Sequence, residues 1–123
     1  MEWYLAPGQP VAPMRHEVRN YMAAYTSEPA LGAIESILGE LLANVASHTE
    51  SGASIHVDWD DGTATLTVID AGPGYEPGGE IVPPHLDDEH GYGLWLVEQL
   101  GRDLRITRGP GGGTTITVGL PIA

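Results

Sequence analysis

The run Leu31–His48 (LGAIESILGELLANVASH) constrains the fold more than any other stretch of this chain. Ile34, Ile37, Leu38, Leu41, Leu42 and Val45 recur at the spacing that places them on one face of an α-helix. Glu40, Asn44 and His48 follow at intervals of four, and each such step turns only about 40° around a helix axis. The three therefore form a polar stripe on the shoulder of the apolar face. A carboxylate and an amide at the edge of a core need partners, because burying them unpaired costs several kcal/mol. Taken alone, this pattern also suits an ordinary helix with a solvated edge.

The rest of the chain supplies strands and two further helices. Glu2–Ala6 is short and aromatic-rich and reads as an edge strand. Val11–Tyr25 reads as a first helix with Val11, Met14, Val18, Tyr21, Met22 and Tyr25 on its apolar side, and Pro10 or Pro13 can occupy its opening turn. Ser27 is a good N-cap candidate for the long helix. Within that helix Gly39 costs roughly 1 kcal/mol against Ala, a cost compatible with close approach of another backbone beside Glu40. Ile55, Val57 and Trp59 alternate with polar residues, Asp60-Asp61-Gly62 is a hairpin turn signal, and Ala64, Leu66, Val68 and Asp70 line one face of the returning strand. A long segment rich in Gly, Pro and acid follows, of a kind that is usually functional or mobile. Tyr92–Leu100 is a third helix. Leu104–Thr107 and Thr114–Leu120 are two last strands. The order predicts one domain over residues 1–123, a two-layer α/β sandwich with a mixed β-sheet and three helices on one face.

Charge narrows the partners. The chain carries 17 acidic residues against 5 basic ones, a net charge of −12. Such a surface should repel nucleic acid, whose binding rests on cationic contacts to phosphates. All five cations are Arg, so any bound polyphosphate must be neutralised by a metal ion, backbone N–H groups and an Arg, never a Lys. With no Cys, disulfides and thiolate metal sites are excluded. No apolar run has the length of a membrane span and no signal-peptide pattern opens the chain, so a membrane location is not expected and the cytoplasm is the default.

Three glycine-bearing segments carry chemistry. In Asp70-Ala71-Gly72-Pro73-Gly74 the glycines let a ligand approach the backbone at a strand end, where an inward Asp70 could accept a hydrogen bond from an exocyclic amine. A plain strand exit would look the same. Gly91-Tyr92-Gly93-Leu94 opens a helix whose free N–H groups suit phosphates, or is simply a loop entering a helix. Gly113-Thr114 starts a strand, where Thr can hydrogen-bond a ligand or be a good strand residue only.

Together, in this order and spacing, Glu40-x-x-x-Asn44, Asp70-x-Gly72-x-Gly74, Gly91-x-Gly93-Leu94 and Gly113-Thr114 resemble the motifs of the GHKL superfamily with its Bergerat ATP-binding fold. The resemblance covers roughly Ser27 to Pro121. Within the superfamily the chain most resembles the stand-alone anti-sigma factor serine/threonine kinases of bacterial partner-switching systems. Asn44 is followed by His48 as in their N-box, and the bulky Trp95 stands where histidine kinases commonly carry Gly.

The resemblance implies ATP and Mg²⁺ as cofactors. It makes Glu40 the general base and Asn44 the Mg²⁺ ligand, and counts His48 among the nucleotide-binding residues. Asp70 would read the adenine amine above a floor shaped by Gly72 and Gly74. Gly91, Gly93 and Leu94 would contact phosphates, and Thr114 would support the adenine end. It implies a kinase that phosphorylates a Ser or Thr of an antagonist protein and binds a partner such as a sigma factor. Family members often dimerise, and the exposed first strand is the one feature here consistent with a homodimer. A non-catalytic nucleotide-binding module and a detached histidine-kinase ATP-binding domain are the alternatives. With no Lys, the source of cationic help to the γ-phosphate is unassigned.

Overall fold

The computed structural model describes residues 1–48, 52–70, 92–108 and 114–122. The elements run β1 (Glu2–Leu5), α1 (Val11–Ala23), α2 (Glu28–His48), β2 (Ala53–Asp60), β3 (Thr63–Asp70), α3 (Tyr92–Leu100), β4 (Arg102–Arg108) and β5 (Thr114–Gly119). Five strands form one sheet in the order β1-β2-β3-β5-β4, and the helices supply the second layer.

Strand alternation decides which side is buried. Ile55 and Val57 on β2, Leu66 and Val68 on β3, and Ile116 and Val118 on β5 all face the helices and are buried. Thr65, Thr67 and Ile69 occupy the other face, and Ile69 is exposed. Helix α2 is the centre of the core: Ile34, Ile37, Leu38, Leu41 and Leu42 have no exposed surface. Met14, Val18 and Met22 of α1 and Val97 of α3 complete the apolar cluster around it. Truncating one such Leu to Ala would cost about 2–5 kcal/mol.

The two-layer sandwich with three helices matches the sequence expectation, but the sheet is not mixed. Every strand pairing among the described residues is antiparallel. The physical reason lies in β5. Strands β3 and β4 run in the same direction, as a strand–helix–strand crossover requires. Strand β5 turns back from β4 and sits between them, so the two parallel strands never touch.

Local chemistry explains most boundaries. Asp60 pairs with Thr63 across a two-residue turn in which Asp61 (φ 50°) and Gly62 (φ 80°) both take the left-handed conformation. That is the turn whose twist suits a hairpin. Helix α1 carries Pro13 in its first turn, where no N–H is missed, and ends at Ala23 rather than Tyr25. Helix α2 starts at Glu28, three residues before Leu31, with Pro29 tolerated in the opening turn. Strand β4 starts at Arg102, ahead of Leu104, through an irregularity at Asp103, whose φ is 52°. No helix among the described residues is long and apolar enough to cross a membrane.

Candidate nucleotide site

Asp70 ends β3 in the inward register, level with Ala53 on β2 and Thr114 on β5. This central position leaves it 4% exposed, and Thr114, first residue of β5, only 1%. Both side chains lie on the helix-facing side, where α2 passes over them. Asn44, Val45, Val68, Asp70, Thr114 and Ile116 line a small cavity with about 10 Å³ of room, roughly one water. The Thr114 hydroxyl is buried with no hydrogen-bond partner among the described residues. A buried hydroxyl left in that state costs about 1–3 kcal/mol. An acceptor, an amide and a hydroxyl without a partner among the described residues thus converge beneath α2 around a space for about one water.

One turn before Asn44 on α2, Glu40 is half-buried. It reaches the opening turn of α3, where a Cβ added at Gly93 would overlap Glu40 Oε2. A methyl there would have to displace the end of the Glu40 side chain. The first N–H groups of a helix have no intrahelical partner and carry its positive dipole end, so the start of α3 suits anionic oxygen. Glu40 and Asn44 do share a flank, as the four-residue spacing predicts. His48 is the last residue of α2, but its side chain lies outside what the structure describes, as do Gly72, Gly74 and Gly91. Leu94 is half-buried and its side chain packs against the core.

Arg15 is a residue that sequence reasoning did not place at the site. A Cβ at Gly39 would lie 3.4 Å from Arg15 Nη1 and 3.7 Å from its Cδ. The neighbour beside Gly39 is therefore a guanidinium stem, not another backbone. Arg15, Ser36, Gly39, Glu40 and Leu96 border an open cleft of about 450 Å³. Arg19, one turn along α1, is engaged by Glu28 (3.5 Å) and Glu35 (3.3 Å). Arg15 makes no ion pair among the described residues. The signal available in sequence was Gly39 immediately before Glu40 in a chain without Lys, which marks an approach but cannot name the group approaching.

The described residues form an antiparallel sheet under three helices, with the buried Asp70 carboxylate and the start of α3 on either side of the Glu40–Asn44 stretch of α2. The chain belongs to the histidine kinase-like ATPase domain family, whose model matches residues 6–119. That places it in the GHKL superfamily and implies ATP binding. No curated protein matches the chain.

Proposed function

We propose that this chain is an ATP-dependent protein serine/threonine kinase of the anti-sigma factor type. In this reading it phosphorylates a small antagonist protein and binds a sigma factor as the alternative partner. The observation that carries the proposal is the position of Glu40, between the start of α3 and the open cleft rimmed by Arg15. A buried carboxylate would serve binding alone. One facing a cleft wide enough for a protein side chain can meet a hydroxyl that arrives from outside.

The parts match what phosphoryl transfer demands, namely positioning and charge stabilisation more than covalent chemistry. Asp70 accepts from the adenine amine, and Thr114 supports that edge. The N–H groups at the start of α3 face the phosphates, with Gly93 keeping the approach open. Glu40 takes the proton from the acceptor hydroxyl as its oxygen bonds to the γ-phosphorus and the bond to the leaving ADP oxygen breaks. The Asn44 side-chain oxygen would hold Mg²⁺, which would supply positive charge to offset that of the phosphates. No group of three or more His, Asp or Glu among the described residues could hold a metal. Arg15 borders the acceptor side. A kinase that draws on ATP and binds a sigma factor would act as a switch in the cytoplasm.

Labelled ATP and candidate antagonist proteins test this directly. Acid-stable phosphate on the antagonist is expected, and Glu40→Gln should lower transfer by about 100-fold while keeping ATP affinity. Transfer at the parent rate in that variant would remove Glu40 as the base. ATP binding with no transfer to any acceptor would instead leave a nucleotide-binding module.

A further inference from the structure

Half of the chain's eight aromatic side chains gather at the end of the molecule remote from the nucleotide cavity. Trp3 meets Tyr21 edge-on with ring centroids 5.4 Å apart. Tyr21 meets Tyr25 at 5.3 Å, and Tyr25 meets Trp59 at 4.9 Å. The Trp59 indole N–H donates to the Tyr21 hydroxyl at 2.9 Å. Trp3 and Tyr21 are half-buried against the core, whereas Tyr25 is 52% and Trp59 38% exposed. Two rings anchor the row and two are held out to solvent in a fixed arrangement.

That arrangement is already paid for in conformational entropy. Rigid aromatic rings offer contact area at little further ordering cost. Trp59 spends its one donor inside the cluster, so what it presents outward is ring surface, suited to stacking and not to hydrogen bonding. Asp58, Asp60 and Asp61 flank Trp59 in β2 and its turn, are all exposed, and make no ion pair among the described residues. Covering these rings with an apolar partner would strip water from the adjacent carboxylates and return nothing. A guanidinium satisfies both, stacking on a ring face while its fork pairs with a carboxylate. The chain's net charge of −12 favours the same partner at long range.

We propose that the Tyr25–Trp59 surface, with the acids of the β2–β3 turn, is a docking site for an arginine-bearing segment of a partner protein. Trp59 lies six residues along β2 from Ala53, which sits level with Asp70. At about 3.4 Å per residue that is roughly 20 Å, so the site and the nucleotide pocket can be filled together. The proposal does not depend on whether the chain transfers phosphate.

The test uses the full chain, labelled with ¹⁵N, and a capped peptide, Gly-Arg-Gly-Arg-Gly. The controls replace Arg by neutral citrulline, by Glu or by Leu. The readout is the indole N–H signals of the three tryptophans. The Trp59 signal is assigned by its loss in Trp59→Leu, or by its shift in Tyr21→Phe should the first variant fail to fold. The Arg peptide should move the Trp59 signal saturably and leave Trp95 in place. Tyr25→Ser and the pair Asp60→Asn, Asp61→Asn should each weaken that response about tenfold while ADP affinity is kept. Saturating ADP should not change it. An unmoved Trp59 signal overturns the site. So does a response that Tyr25→Ser leaves intact, which would mean diffuse attraction to an acidic surface. Equal binding of the citrulline or Leu peptide overturns the cationic assignment.

Discussion

Replacing Thr114 by Val should make the nucleotide-free protein more stable and the nucleotide complex weaker. Thr114 is 1% exposed and its hydroxyl has no partner among the described residues. Val keeps the β-branched shape, suits a strand at least as well, and removes the polar atom. An unmet buried hydroxyl costs about 1–3 kcal/mol. The cavity has about 10 Å³, enough for one water that Asp70 and Asn44 can help hold, so the lower end of that range applies. With a melting entropy of roughly 2.1 cal/mol/K per residue, about 1 kcal/mol raises the midpoint of a chain this long by about 4 °C. In the complex the sign reverses. A hydrogen bond to the adenine edge, direct or through that water, contributes about 1 kcal/mol, so ADP affinity should fall about fivefold. Thermal melts with and without ADP, together with calorimetry, measure both halves. A variant that melts lower without nucleotide would mean the hydroxyl has a structural partner. An unchanged ADP affinity would mean it does not face the ligand.

On the proposed reading Asp70→Asn would set a donor against the adenine amine, and ADP affinity by calorimetry should fall about tenfold or more; unchanged affinity would remove Asp70 as the adenine reader. Gly93→Ala places a methyl where the Glu40 carboxylate lies, and the carboxylate, as the end of a flexible side chain, swings aside. Stability should hold or rise, by up to about 1 kcal/mol from helix propensity. Phosphate transfer should fall about 100-fold, the scale of a 1 Å misplacement. Transfer at the parent rate in that variant would show that the position of Glu40 is not critical.

Legibility in the sequence followed the range of the interaction concerned. The α2 periodicity, the Asp61-Gly62 turn and the bounds of α3 are local, and each stands in the structure as the residues imply. Helix α1 ends at Ala23, and Tyr25 follows in a tighter turn, its N–H bonded to Met22 O at 2.9 Å and its ring packed on both Tyr21 and the distant Trp59. The sheet differs because the place of β5 between β3 and β4 is a choice of neighbour, invisible to any window along the chain. At the site, the inward direction of Asp70 and the shared flank of Glu40 and Asn44 follow from strand and helix periods. Burial of Asp70 level with Thr114 follows from β3–β5 register, and the closeness of Arg15 to Gly39 from helix packing. Both needed three dimensions.

The insertion of β5 also fixes when the molecule can become whole. Strands β2 and β3 are joined by a two-residue turn and can pair as soon as they emerge from the ribosome, with β1, already made, adding to the outer edge of β2. Until β5 arrives, however, the inner edge of β3 is open over Thr65–Asp70, a row of unpaired N–H and C=O groups on an apolar strand. Such an edge is a template for wrong pairing. Closing it means bringing together segments more than forty residues apart, the kind of long-range step that slows folding. The same step sets Thr114 beside Asp70, so the pocket and the closed sheet form in one event. A ligand of that pocket that binds only the closed form would therefore act as a folding ligand, drawing the chain out of its most aggregation-prone state.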